Sequence, residues 1–105
     1  MQQFDIQQLD TTVHGPVRLG VLAALQVDGP LDFTTLKKRL KASDGAVGLH
    51  LQKLEAAAYI RSSKAFVGRR PQTTYVLTRQ GRKAFQAYLD QMQNLLDAVR
   101  GQGRQ

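Results

Sequence analysis

Residues 32–57, DFTTLKKRLKASDGAVGLHLQKLEAA, decide the fold. They contain two helical patterns that are separated only by the short connection at 42–43. In the first pattern Phe33, Leu36 and Leu40 recur at helical spacing, and either Asp32 or Thr34 is a suitable N-cap. Two amphipathic helices with so short a connection must turn sharply, so they are expected to pack against each other at a steep angle.

The second pattern predicts a helix that begins at a Ser43 or Asp44 cap and runs to about residue 57. Its apolar positions Val47, Leu51 and Leu54 are spaced i, i+4, i+7 and are expected to face the core. The opposite side of the helix therefore faces solvent or a partner. That side carries Gly45, Ala46, Gly48, Leu49, Gln52 and Lys53.

Upstream of this unit the sequence predicts one further helix and an N-terminal arm. Pro16, which suits the first turn of a helix, precedes a helical pattern at 17–26 that ends at the Asp-Gly-Pro turn 28–30. In the arm, Ile6, Leu9 and Val13 are spaced i, i+3, i+7. This spacing favours a short helix with one apolar face.

Downstream, two runs rich in aromatic and β-branched residues predict a β-hairpin. The runs are 59–67 and 73–77, and the five residues GRRPQ at 68–72 are expected to form the loop between them. Tyr59, Phe66 and Tyr75 are expected to pack within this hairpin.

A long helix is predicted to begin at a Thr78 cap and to end near Val99. Two overlapping apolar stripes run along it at heptad-like spacing. One consists of Tyr88, Met92, Leu95 and Val99, and the other of Phe85, Leu89, Met92 and Leu96.

The order of these elements defines a fold class. Two helices joined by a tight turn and followed by a charged hairpin form a winged helix-turn-helix, a mainly α fold with a small β-hairpin wing (α+β) and here a long C-terminal helix. We expect one such domain over residues 1–100 and a flexible tail at 101–105, since 105 residues suit a single domain.

Positive charge is concentrated in the middle of the chain. Residues 37–83 contain twelve Lys and Arg against two acidic residues, a net +10, whereas the rest of the chain carries a net −3. Such segregation favours a polyanionic partner over a merely solvated surface.

The fold and the charge together predict double-stranded DNA as that partner. The helix at 44–57 fits a major groove of about 12 Å, and inserted arginines suit a narrow minor groove. Gln52 and Lys53 are candidates for base edges or phosphates, and Leu49 for a thymine methyl or for packing under the wing. The complete predicted DNA-binding set is Lys37, Lys38, Ser43, Ala46, Gly48, Leu49, Gln52, Lys53, Lys64, Arg69, Arg70 and Thr73.

The chain resembles the MarR/ArsR-like winged-helix regulators, particularly their short bacterial and archaeal group. Five stretches carry the resemblance, and they cover roughly residues 9–96. They are LDTTVHGPVRL at 9–19, FTTLK at 33–37, SDGAVGLHLQKLE at 43–55, GRRPQTTY at 68–75 and LTRQGRKAF at 77–85.

The N-terminus shows no signal-peptide pattern, so we expect a small cytoplasmic protein. The resemblance implies a homodimeric transcriptional regulator, usually a repressor, whose first and last helices form the dimer interface. It leaves open whether a small-molecule effector exists. The predicted interface residues are Ile6, Leu9, Val13, Phe85, Tyr88, Leu89, Met92, Leu95, Leu96 and Val99. The sequence departs from the family pattern at Gly48, which replaces a serine, and at Ala58, which replaces a glycine and is expected to change how the chain leaves the helix.

Other classes of function fit less well. There is no cysteine, no phosphate loop and no paired nucleophile and base, so we expect no enzyme and no cofactor. His14 and His50 are too few for a metal site, and no apolar run suits a membrane span. RNA binding would favour exposed aromatic side chains on a sheet, whereas Tyr59, Phe66 and Tyr75 are expected to pack within the hairpin. The main alternative is a winged helix that binds proteins during assembly and does not read DNA.

Overall fold

The computed structural model describes residues 9–101 as four helices and a three-stranded antiparallel sheet, which confirms the mainly α winged helix-turn-helix. The helices are α1 (Pro16–Asp28), α2 (Phe33–Leu40), α3 (Asp44–Ala56) and α4 (Arg79–Val99). The strands are β1 (Leu31–Asp32), β2 (Ile60–Val67) and β3 (Arg70–Leu77). Ile6, most of the predicted N-terminal arm and residues 102–105 of the predicted tail lie outside the described residues.

Three polar side chains begin three of the helices. Asp32, Ser43 and Thr78 cap α2, α3 and α4, each accepting a hydrogen bond from the backbone N–H three residues later at 2.9–3.2 Å. Hydrogen bonds from Thr35 lower the pKa of Asp32 below its ordinary value, because they favour the ionised carboxylate. These caps fix where the two helices of the helix-turn-helix start, and hence the angle between them.

The hairpin turn is shorter than the sequence predicts. Val67 pairs with Arg70, so that only Gly68 and Arg69 lie between the strands. The five-residue loop was wrong, since Arg70, Pro71 and Gln72 belong to β3. Gly68 has φ +65°, and a glycine with positive φ at the first turn position is typical of a tight two-residue hairpin.

One hydrophobic core holds the helices and the sheet together. The strand order β1-β3-β2 places β3 in the middle of the sheet, and α1 and α3 contribute six of the eleven buried side chains. The buried set is Val13, Val21, Leu22, Leu25, Leu36, Val47, Leu51, Leu54, Ile60, Phe85 and Tyr88. The predicted inward positions of α3 are therefore confirmed.

Helix α3 ends in a left-handed residue, although that residue is an alanine. Ala58 has φ +64°, its N–H bonds to the carbonyl of Glu55 at 2.9 Å, and the N–H of Tyr59 bonds to the carbonyl of Leu54 at 3.0 Å. This pair of bonds is the Schellman arrangement that usually carries a glycine. The expectation that Ala58 changes the exit is wrong. The hydroxyl of Thr78, which donates to the Ala58 carbonyl at 2.6 Å, helps to hold the strained residue.

Candidate nucleic-acid interface

Helix α3 presents an exposed stripe opposite its buried one. Leu49, Gln52 and Lys53 are exposed, whereas Ala46 and Gly48 are half-buried. Leu49 is 52% exposed, so the structure does not support the interpretation that it packs under the wing. A large apolar side chain thus lies open in the middle of the exposed stripe, where a partner can contact it.

The start of α3 is electrostatically balanced by α2. Lys37 Nζ lies 2.6 Å from a carboxylate oxygen of Asp44, in the first turn of α3. Ser43, the cap of α3, is exposed, and its hydroxyl hydrogen is not used in the bond that it accepts. Because Lys37 neutralises Asp44, a phosphate group can approach this helix end without facing an uncompensated negative charge.

The basic residues of α2 are divided between internal pairing and solvent. Arg39 pairs with Asp28 at the end of α1, as Lys37 does with Asp44. Lys38 is exposed and belongs to neither pair. Of the two α2 lysines predicted to bind DNA, Lys38 is therefore the one whose charge is not compensated by these pairs.

The wing carries its cations at the tip. Arg69 lies in the turn, Arg70 is the first residue of β3, and Lys64 lies on β2 opposite Thr73. Lys64, Arg69 and Arg70 are exposed, and Thr73 is half-buried. None of the three cations takes part in the two ion pairs described above, so their charge is available to a partner.

Arg18 is a residue that the sequence analysis did not assign to the interface. Its Nε donates to Nδ1 of His50 on α3 at 3.1 Å, and its terminal nitrogen donates to the backbone carbonyls of Thr11 and Thr12 at 3.1 and 3.3 Å. Arg18 thus connects the segment before α1 to the middle of α3. A signal was present in the sequence, because Arg18 is the only basic residue before Lys37.

Two further hydrogen bonds fix the segment before α1 to the rest of the fold. The hydroxyl of Tyr59 donates to Asp10 at 2.5 Å, and this bond raises the pKa of Tyr59 to about 12. Nδ1 of His14 lies 2.6 Å from the hydroxyl of Tyr88 on α4. With Arg18, these contacts join α3, α4 and the start of β2 through one short segment.

The predicted dimer residues that the structure describes fall into three groups. Val13, Phe85 and Tyr88 lie in the core of the protomer and cannot at the same time face a second subunit, because at most 5% of each is exposed. Leu9, Met92 and Leu95 are half-buried. Leu89, Leu96 and Val99 on α4 are 40%, 42% and 75% exposed. Of the predicted dimer residues that the structure describes, those left open thus all lie on α4, from its middle to its end.

The residues that the structure describes contain neither a metal-binding cluster nor a membrane-spanning helix. Among residues 9–101, no three His, Asp or Glu side chains gather as a metal ion would require. Within the same residues, no helix is both long and apolar enough to cross a membrane.

A helix-turn-helix whose second helix presents an exposed stripe, followed by a hairpin with cations at its tip, defines a winged-helix nucleic-acid-binding protein. Comparison with known proteins gives the family. Residues 17–96 match the model of the winged helix DNA-binding domain. The chain belongs to this family of DNA-binding domains.

Individual relatives agree with this assignment. An uncharacterized protein of Methanocaldococcus jannaschii is 34% identical over 73 residues, which cover 70% of this chain and 79% of that protein. A transcriptional regulator homologue from Pyrococcus horikoshii superposes with a TM-score of 0.77 at 24% identity, over 84% of this chain and 87% of its own. A MarR-family regulator from Silicibacter pomeroyi gives 0.65 at 20% identity, over 90% and 62%. The chain thus shares its fold with these two proteins.

Proposed function

We propose that the chain is a homodimeric repressor that binds a specific double-stranded DNA sequence, with α3 in the major groove and the wing in the minor groove. The observation that carries the proposal is the set of exposed cations Lys53, Lys64, Arg69 and Arg70, which lie outside the two ion pairs of α2. Such a repressor works in the cytoplasm of a prokaryotic cell, where its operator lies.

Base reading falls to the exposed stripe of α3. Gln52 can make a bidentate pair with adenine, Lys53 can donate to guanine, and Leu49 can contact a thymine methyl. Ala46 and Gly48 carry no polar side chain, so they allow the helix to come close to the bases without adding a hydrogen bond. A helix of this composition reads few base pairs by hydrogen bonds and depends more on its shape complementarity to the major groove.

Phosphate contacts hold α3 in place. Ser43 is the cap of α3, and Lys38 lies on α2. Lys37 can give up its ion pair with Asp44 and bind a phosphate instead. On the wing, Lys64 and Thr73 face the same side of the hairpin as paired residues, and Arg69 and Arg70 form its tip. Contacts of this kind fix register and supply most of the salt-dependent affinity.

The exposed stripe of α4 supports the dimer. Leu89, Met92, Leu96 and Val99 are spaced by three, four and three residues, so they lie along one face of the helix. Residues at this spacing pack well against the same face of a second copy. A symmetric dimer requires a self-complementary patch, and an apolar stripe meets that requirement. Repression then needs only that the bound dimer covers a promoter.

Selection from a pool of random duplexes tests the proposal. The expected product is an inverted repeat whose half-sites are centred about 10 base pairs apart, because a twofold dimer places its two recognition helices about one DNA turn apart. The selected duplex is then compared with a scrambled duplex of equal composition. Enrichment of no sequence, with equal binding to both duplexes, would contradict specific readout. Capture of a protein partner with no duplex binding would favour the assembly module.

A further inference from the structure

Phe66 lies open near the tip of the wing. It is 74% exposed, two residues before Gly68 in the turn, and its cross-strand partner is Pro71. The expectation that Phe66 packs within the hairpin is therefore wrong. Since side chains alternate along a strand, Phe66 lies on the same face of β2 as the buried Ile60, but beyond the point where the core ends.

Among the described residues, Phe66 belongs neither to the hydrophobic core nor to the side chains packed against it. The hydrophobic core and the partly buried residues packed against it include Tyr59, Tyr75 and Leu77 of the hairpin region, but not Phe66. An exposed phenyl ring contributes little to folding, and large apolar groups on a protein surface commonly mark a contact with a partner.

The charges around Phe66 define the chemistry of that partner. Lys64 precedes it on the same face of β2, and Arg69 and Arg70 follow it at the tip. A partner that fits must offer negative charge and an apolar surface within a few ångströms of each other. The DNA minor groove does so, because the phosphates stand above walls made of deoxyribose rings.

The dimensions of the hairpin and of the groove determine how the wing tip can lie. Two residues of extended strand span about 7 Å, close to the minor-groove depth of about 7.5 Å. When Arg69 contacts a phosphate at the edge of the groove, the ring of Phe66 is therefore within reach of the deoxyribose rings beside that phosphate. The groove is about 6 Å wide, too narrow to admit both strands, whose axes alone are about 4.8 Å apart, so the tip lies along the edge of the groove and only its side chains enter.

We infer that Phe66 packs against the deoxyribose wall of the minor groove and gives the wing a share of affinity that does not depend on salt. This inference rests on the proposed function, in which the wing enters that groove. A sugar contact reads no base, but it does depend on groove width. Phe66 therefore favours A·T-rich DNA beside the half-site, where the groove is narrow.

The salt dependence of binding tests this inference, since it separates apolar from ionic contacts. The dissociation constant of the selected duplex is measured by fluorescence anisotropy at several salt concentrations for the wild type and four variants. Phe66→Ala should weaken binding about ten-fold at every salt concentration and leave the slope of log K against log salt unchanged, because no phosphate contact is lost. Phe66→Leu should retain most of the affinity.

Two variants serve as references. Arg69→Ala should make the slope shallower by about one for each wing, because one phosphate contact is lost. Val27→Ala truncates a side chain that is 79% exposed at the end of α1, away from the wing, and should bind like the wild type. Thermal unfolding of Phe66→Ala should match the wild type, since the ring is open to solvent.

Three results would overturn the inference. In the first, Phe66→Ala binds DNA as tightly as the wild type. In the second, it changes the slope as Arg69→Ala does. In the third, it abolishes sedimentation with phosphatidylserine vesicles while DNA binding is unchanged, so that the ring serves a lipid surface. If the wild type itself does not bind duplex DNA, the proposed function is overturned instead. The failure of the inference and the failure of the proposed function are therefore distinguishable.

Discussion

At the scale of single residues, the end of α3 shows a conflict between side chain and backbone. Ala58 is held in the left-handed region, at φ +64°. An L-residue pays about 1–2 kcal/mol for this conformation, whereas glycine does not. The hydrogen bonds of the helix end, together with the bond from Thr78 to the Ala58 carbonyl, outweigh this cost.

Ala58→Gly should therefore raise the free energy of unfolding by about 0.5–1 kcal/mol, because relief of the strain exceeds the added freedom of the unfolded chain. Urea unfolding measures the change. Ala57→Gly is a matched control, since Ala57 has φ −82° and gains nothing from glycine. The account of the helix end is wrong if both variants lose stability equally.

At the scale of elements, two helical glycines have opposite surroundings. A Cβ at Gly48 on α3 would meet nothing within 4 Å, whereas a Cβ at Gly81 on α4 would lie 2.0 Å from the carbonyl oxygen of Tyr59. Gly81 thus permits α4 to lie directly against the chain that enters β2. Gly48 has no such packing role in the protomer.

Gly48→Ala should stabilise the fold by about 1 kcal/mol, because alanine is the better helix former. Gly81→Ala should destabilise it by at least 1–3 kcal/mol, roughly the usual cost of overpacking, since backbone must move. Thermal or urea unfolding of both variants measures the difference. Equal stabilisation by the two substitutions would show that α4 does not pack against Tyr59 as described.

The helices were predictable from sequence, and the details of the wing were not. Periodicity and the caps Asp32, Ser43 and Thr78 located α2, α3 and α4, because these signals are local. Gly68 and Pro71 are both typical loop residues, so the sequence placed both in a five-residue loop. Pairing with Phe66 across the hairpin is what makes Pro71 part of β3. Because β1 pairs only with Thr74 and Tyr75, Pro71 lies beyond the end of β1, at a position where a sheet tolerates proline.

The candidate site was likewise predictable from the sequence only in part. The exposed face of α3 followed from its helical period. The exposure of Phe66, the ion pair of Lys37 and the contact between Arg18 and His50 depend on residues distant in sequence, which no local pattern reveals. The strand β1 has only two residues, which is too few for any pattern.

At the scale of the whole molecule, the positive charge and the apolar stripe of α4 are separated. The positive residues lie on α2, α3, the wing and the start of α4, whereas the open apolar stripe lies on the second half of α4. This separation suits a protein that uses one surface for DNA and another for a second copy of itself.

The dimer should dissociate when the α4 stripe is charged. Leu96→Glu with Val99→Glu is expected to give a monomer of 11.7 kDa in sedimentation velocity, since two buried carboxylates without partners are costly. Asn94→Glu is the control, because Asn94 is exposed on the same helix but outside the stripe. A dimer that persists in the double variant would place the interface elsewhere.

The central claim is that the exposed cations of α3 and the wing bind duplex DNA. Its most direct test is the slope of log K against log salt for the selected duplex, with the wild type beside Arg69→Ala/Arg70→Ala. The account predicts a steep negative slope for the wild type, with about −0.9 for each phosphate contacted, and a slope shallower by about two for each wing in the variant. A flat salt dependence, or equal slopes for the two proteins, would contradict it.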